Sequence, residues 1–203
     1  LIDLVCKEEH CKAHHMLKGT GLSQGFLKQK EAYISLIQEL KIYQNALAIS
    51  TTPGLGLRLG MQYEPHHHGV FAHALLCAVN GKDLLRILAQ YGKIRGFMLD
   101  IKAREERDSI VLTTKPTIPM NTDVYQCVTE EFLAMFSSSR AGGDLGLKPI
   151  EILIDYCAPK HVRGYKNLYK CPIKFNADEM QFRIPRSFLT QKTSLSNFEM
   201  MKI

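Results

Sequence analysis

GFMLDIKAREERDSIVLTTK, residues 96–115, decides what kind of fold this is. Phe97, Leu99, Ile101 and Ala103 alternate with Met98, Asp100, Lys102 and Arg104. A period of two is what a half-buried strand produces, because successive side chains point to opposite faces. Residues 105–108 are charged and turn-like, and 109–115 read as a strand returning beside the first, so the stretch predicts a β-hairpin.

Upstream the period is helical. Tyr33, Leu36, Ile37, Leu40, Tyr43 and Leu47 fall on one face and predict a helix over 33–49, stopped by Thr51-Thr52-Pro53-Gly54. Residues 70–79 (VFAHALLCAV) are apolar nearly all round, which predicts a buried helix. Asn80 with Asp83 resembles a capping box for the next helix, whose stripe is Leu84, Ile87, Leu88 and Tyr91. Downstream, Asp123 is the expected cap, with Gln126 at the third position, of a helix lined by Val124, Cys127, Val128, Phe132, Met135 and Phe136. Ile150, Ile152, Ile154 and Tyr156 alternate as a third strand, 160–170 forms a short helix, and 172–176 and 180–184 form two short strands. The order is N-terminal helices, then β-β-α-β-α-β-β. Without a running βαβαβ alternation, this predicts an α+β fold: a mainly antiparallel sheet with helices packed on it.

The chain has 203 residues, enough for one domain with a sizeable core. No run of 18 apolar residues is present and no signal-peptide pattern opens the chain, so neither a transmembrane helix nor a signal peptide is expected. The chain begins at Leu1 rather than Met, which suggests a piece of something longer. The net charge of +6 is not gathered into Lys/Arg runs and no groove-reading motif accompanies it, so a solvated basic surface is expected rather than a direct nucleic-acid interface. The six cysteines lie at 6, 11, 77, 127, 157 and 171 without a CxxC, and four sit among apolar periodic residues, so buried free thiols are expected.

Cys6, Cys11, His10, His14 and His15 crowd residues 6–15 and raise the question of a metal. On a continuous helix Cys6, His10 and His14 would span about 12 Å and could not converge on one ion. No metal is expected there. His66-His67-His68 reads as a polar loop before the apolar segment. His73 lies inside that segment, where a buried imidazole needs a partner or faces a cavity. Gly54, Gly56 and Gly60 follow a helix rather than a strand and lack the GK[ST] of a phosphate loop. Residues 12–27 are too short for a DNA-reading helix-turn-helix. No nucleophile–base constellation is present, so neither catalysis nor a cofactor is expected.

Several stretches in order carry a resemblance: LKGTGL at 17–22, PGLGLRLG at 53–60, HGVFAHALL at 68–76, LLRILAQYGKI at 84–94, PIEILIDYCAP at 149–159 and HVRGYKNLYKCPIKFNADEMQFRIPRSFL at 161–189. Together they resemble the N-terminal effector-sensing domain of AraC-type transcription regulators, in the branch of ornithine and related small-metabolite regulators. The resemblance implies that residues 1–203 form a single sensing domain, with the DNA-binding region, two helix-turn-helix units, outside this sequence. It also implies a cytoplasmic, possible homodimeric regulator that binds a small-molecule effector and meets DNA only through the missing region. The family usually has a plain turn near residues 8–11, so the first helix is expected to break before residue 15.

A cavity is expected between the sheet and the 70–79 segment, lined by His73, Tyr91, Phe97 and Tyr125, which are polar or aromatic residues on apolar elements. The alternative is a dimerisation or protein-interaction module without a small-molecule ligand, marked by an exposed apolar patch.

Overall fold

The computed structural model describes residues 1–29, 33–62, 74–75, 77–95, 97–137 and 147–192. The hairpin forms as the alternation dictates. β1 (Leu99–Glu105) and β2 (Ser109–Pro116) pair antiparallel from Leu99 opposite Pro116 to Glu105 opposite Ile110. Glu106 N–H donates to Ser109 O at 2.8 Å and closes the turn.

Three further strands extend the sheet: β3 (Glu151–Leu153), β4 (Ile173–Lys174) and β5 (Gln181–Pro185), in the order β1-β2-β5-β3-β4. β5 runs antiparallel to both β2 and β3, so the last strand inserts between them. β4 pairs with β3 in parallel, which makes the sheet mixed. A parallel pair needs a crossover of a dozen or more residues, and the chain between these two strands supplies it, including a short helix at Val162–Leu168. Asn176, with φ 59°, then turns the chain, its N–H donating to Tyr156 O at 3.1 Å. The expected α+β class holds, with one parallel pair in a mainly antiparallel sheet.

Register separates the two faces. Leu112, Phe182 and Ile152 stand in one row, all fully buried under the helices. The neighbouring row holds Arg183 and Glu151, where Arg183 pairs with Glu106 and Glu151, and Lys174 Nζ lies 2.8 Å from Glu151 Oε1. One face is therefore core, and the other carries charge around the buried Val111, which stands opposite Arg183.

In chain order the helices are α1 (Ile2–Glu8), α2 (Ala13–Met16), α3 (Leu36–Ile49), α4 (Leu55–Met61), α5 (Gly81–Arg95), α6 (Thr122–Ser137) and α7 (Val162–Leu168). α3 starts later than its periodicity predicts, because Ser35 and Gln38 form a capping box. Its buried side is Ile42, Tyr43 and Ala46, whereas Tyr33 and Ile37, which the periodicity assigned to the apolar face, are exposed. α5 opens as expected, with Asp83 N–H donating to Asn80 Oδ1 at 3.0 Å. α6 is capped not by Asp123 but by Asn121, whose Oδ1 accepts from Val124 N–H at 2.9 Å. The first helix does break: α1 ends at Glu8 and His10 takes a φ of 50° before α2 begins.

The glycines of PGLGLRLG serve helix contact. An ideal Cβ on Gly56 would lie 2.1 Å from Cys127 O, and one on Gly60 2.3 Å from Glu131 O. α4 and α6 therefore pack backbone against backbone, with Gly four residues apart on one face. The cysteines are free thiols, but burial is less general than expected. Cys127 is buried in α6, Cys77 and Cys157 are exposed, and the other three are partly covered. Most of the 70–79 segment lies outside the described residues. Among the described residues no helix is long and apolar enough to cross a membrane.

Candidate functional site

The hairpin register puts Leu99 opposite Pro116 and Ile101 opposite Thr114, so these four side chains share the helix-facing side of the sheet. α5 lies over β1 and brings Leu88, Ala89 and Gly92 against it. Between them is a cleft of about 480 Å³ whose walls include Phe97, Leu99 and Ile101. It is mostly apolar, with Asp100 and Thr117 as polar members. Its size lies within the ordinary range for small-molecule sites.

Pro116 also belongs to a second cavity, of about 450 Å³. This one is polar: Thr114 and Lys115 come from β2, Tyr125 from the first turn of α6, Asp155 from the chain after β3, and Asp178 and Glu179 from the turn before β5. The Tyr125 hydroxyl donates to Asp155, at 2.8 Å from Oδ2 and 3.0 Å from Oδ1. Burial, and then the Asp155 carboxylate, push the Tyr125 phenol well above its ordinary range, which keeps it a neutral donor. Glu179 is engaged elsewhere, with Arg104 Nη1 3.0 Å away holding its carboxyl below the usual range.

A third, smaller cavity of about 190 Å³ lies where α4, α6 and α7 meet, beside Gly54, Gly56, Glu130 and His161. Glu130 is buried, and its Oε1 accepts from His161 Nε2 at 2.6 Å, Tyr165 OH at 2.7 Å and Gln126 Nε2 at 2.8 Å. Because Tyr165 donates to Glu130, Tyr156 is left to donate to Tyr165 across 2.8 Å. Desolvation raises both phenols well above their ordinary range, so both stay protonated. The next residue, Glu131, accepts from the Tyr43 hydroxyl. These contacts satisfy buried carboxylates and lock α6 to α3 and α7, which is a framework role.

Of the four residues expected to line a cavity, the structure brings Phe97 to the apolar cleft and Tyr125 to the adjoining polar one. Tyr91 is on α5 but exposed, and lines none of these cavities. His73 lies outside the described residues, as does most of the segment expected to roof the site. Among the described residues no group of three or more His, Cys, Asp or Glu could hold a metal ion. Asp155 and the Glu130 network escaped sequence reasoning. The available signal was Glu130-Glu131 inside a helix apolar on almost every side, where carboxylates require partners.

A sequence model of the arabinose-binding, N-terminal domain of AraC transcription regulators matches residues 11–193. The chain belongs to that family. Like other AraC-type N-terminal domains it is a regulatory module rather than an enzyme. It is 18% identical to the ornithine utilization regulator of Pseudomonas aeruginosa over 164 residues, which cover 81% of this chain and 48% of the relative. The crystal structure of the transcriptional regulator CdpR, also from Pseudomonas aeruginosa, shares the fold. Its TM-score is 0.59 at 17% identity, covering 83% of this chain and 60% of CdpR. This AraC-type domain thus spans about half the length of the curated relative it matches.

Proposed function

We propose that residues 1–203 form a single effector-sensing domain whose ligand occupies the apolar cleft between α5 and the β1–β2 hairpin. The observation that carries this reading is the cleft itself, apolar in its walls, with a separate polar cavity on which Pro116 also borders. That combination of apolar bulk and few polar groups suits a small metabolite. The Pseudomonas relative is named for ornithine utilization, and a metabolite-responsive role in the cytoplasm is proposed for this chain on the same ground.

The signal would travel through α5. The helix forms one wall of the cleft, and its first turn is clamped by the end of the described chain. Gly81 N–H donates to Gln191 O at 3.2 Å, and a Cβ on Gly81 would lie 2.0 Å from Phe188 O. A ligand that favours one placement of α5 therefore favours one placement of residues 186–192. DNA binding by a region outside this sequence would respond as a shift in population.

The test is a melting-temperature screen of this chain against a metabolite library, since a ligand that binds only the folded state stabilises it. Hits are then measured on Gly92→Leu, which puts a side chain into the cleft beside Phe97. The reading expects hits whose stabilisation disappears in that variant, and it fails if the hits stabilise both proteins equally. A protein-contact role has its own support: Tyr33 and Ile37 are 87% and 65% exposed at the start of α3, with Ile34 beside them. Homodimerisation through that patch is the second reading, and sedimentation of Ile37→Lys against the parent chain tests it.

A further inference from the structure

We infer that Cys6 and Cys11 are a redox-active pair, which a small-molecule disulfide oxidises to an intrachain disulfide that locks the corner between α1 and α2.

A continuous helix would keep the two thiols apart. Five residues turn a side chain by about 140° round the helix axis, so Cys6 and Cys11 would face different ways. The helix does not continue. α1 ends at Glu8, Glu9 N–H donates to Val5 O at 2.9 Å, and His10 takes a φ of 50° before the extended Lys12. That reversal folds Cys11 back onto the last turn of α1. Its Sγ donates to Val5 O at 3.9 Å, and its sulfur is hydrogen-bonded to Cys6. With the Cys11 proton directed at Val5 O, Cys6 is the donor between the two sulfurs. Burial, and then the Cys11 sulfur, push the Cys6 thiol up, so Cys6 rests as a thiol until an oxidant arrives. Both residues are partly exposed, which lets that oxidant reach them, whereas Cys127 is buried.

The turn between the two cysteines braces the neighbouring helices. Arg58 Nη2 of α4 lies 3.0 Å from Glu8 Oε2. Glu9 accepts from Thr51 N–H at 2.8 Å and from the Thr51 hydroxyl at 2.9 Å. Both carboxylates lie within the ring that a Cys6–Cys11 bond would close. Closure therefore fixes the segment that holds α4 and the turn after α3. Among the described residues, none of the cleft's lining comes from α1 or α2, so closing this pair does not depend on the effector reading.

The chemistry is thiol–disulfide exchange. One thiolate of the pair attacks a sulfur of oxidised glutathione, forms a mixed disulfide and releases one glutathione. The second cysteine, deprotonated, attacks the protein sulfur of that mixed disulfide and releases the other glutathione. Two protein thiols lose two electrons and two protons, and the glutathione disulfide gains both and becomes two thiols.

Incubation of this chain with reduced or oxidised glutathione, followed by alkylation and tryptic digestion, tests the inference. Cleavage after Lys7 and Lys12 separates residues 1–7 from 8–12, so a Cys6–Cys11 bond leaves those two peptides joined. The joined pair is expected as the main disulfide product of a monomeric chain, reversed by dithiothreitol. The oxidised chain should melt about 2–6 °C higher and exchange its amides more slowly at 8–12 and 50–52. Cys6→Ser and Cys11→Ser, shown by melting curves to be folded, should each stop at a glutathione adduct on the remaining cysteine and lose the rise in melting temperature. No reaction at either cysteine, glutathione adducts that persist in the parent chain, or pairing with another cysteine or a second chain overturns the inference. So does a joined pair that leaves the melting temperature unchanged.

Discussion

Gly56→Ala sets two effects of opposite sign against each other. In an isolated helix the change is favourable: alanine exceeds glycine by about 1 kcal/mol in helix interiors, partly through the unfolded chain. In α4 the new methyl would sit 2.1 Å from the carbonyl oxygen of Cys127, 2.7 Å from Glu130 Cβ and 2.9 Å from Cys127 C. Two of those atoms are backbone in the middle of α6 and cannot rotate away. Relief requires α4 to move off α6 by about an ångström, which opens the packing around Leu55, Leu57 and Leu59 and strains a core at native density. Overpacking of this kind costs about 1–3 kcal/mol, and rigid obstacles put it at the upper end. The net expectation is a loss of about 1–2 kcal/mol, or roughly 2–8 °C in melting temperature for a chain of this size. Gly92→Ala is the matched control. Its Cβ would meet only the Phe97 ring, at 3.4 Å, so the propensity gain should survive and the melting temperature should rise by about 1–4 °C. Thermal denaturation followed by circular dichroism reads both. If Gly56→Ala stabilises the protein as much as Gly92→Ala does, the close α4–α6 contact is wrong.

Other outcomes follow from the same contacts. Asn80→Ala removes the acceptor for Asp83 N–H and should cost about 0.5–2 kcal/mol in urea denaturation, with the midpoint moving and the slope unchanged. Tyr165→Phe keeps the ring against Phe175 but strips Glu130 of one donor and Tyr156 of its acceptor, so a loss of about 1.5–3 kcal/mol is expected. Tyr125→Phe, nearer the surface, should cost less. Arg86, Arg183 and Arg104 hold the carboxyls of Asp83, Glu106 and Glu179 below the usual range. Folded pKa values below unfolded ones give stability that is complete above about pH 5 and lost as pH falls through the folded values. Melting temperature should therefore be flat from pH 7 to 5 and decline below about pH 4, an acid limb that 1 M salt weakens.

Much of this fold is written in local pattern. The hairpin at 96–115 and the Asn80 cap were legible because each depends on residues within a few positions of one another. α3 was found but turned: Tyr33 and Ile37 fit a 3.6-residue stripe, yet the buried side passes through Ile42 and Ala46, since tertiary packing chooses the face. The strand order was not legible. Nothing local in residues 172–184 says that β5 inserts between β2 and β3 while β4 runs parallel to β3, because that choice is made by partners distant in sequence. The same holds for the site. Phe97 and Tyr125 stand out as aromatics on apolar elements, but Asp155 acquires meaning only when the fold brings it 2.8 Å from a hydroxyl thirty residues earlier. Glycines that read as a phosphate decoy are the contact surface between two helices, which only the approach of α6 reveals.

Amide hydrogen exchange of this chain, with and without the tightest ligand from the metabolite screen, tests the central claim most directly. A ligand seated in the cleft should slow exchange at residues 88–92, 97–101 and 114–117, with a weaker effect at 186–191 through the Gly81 clamp, and leave the α1–α2 region unchanged. Protection confined to 33–37 at the start of α3, or spread evenly over the domain with none concentrated at the cleft, would contradict it.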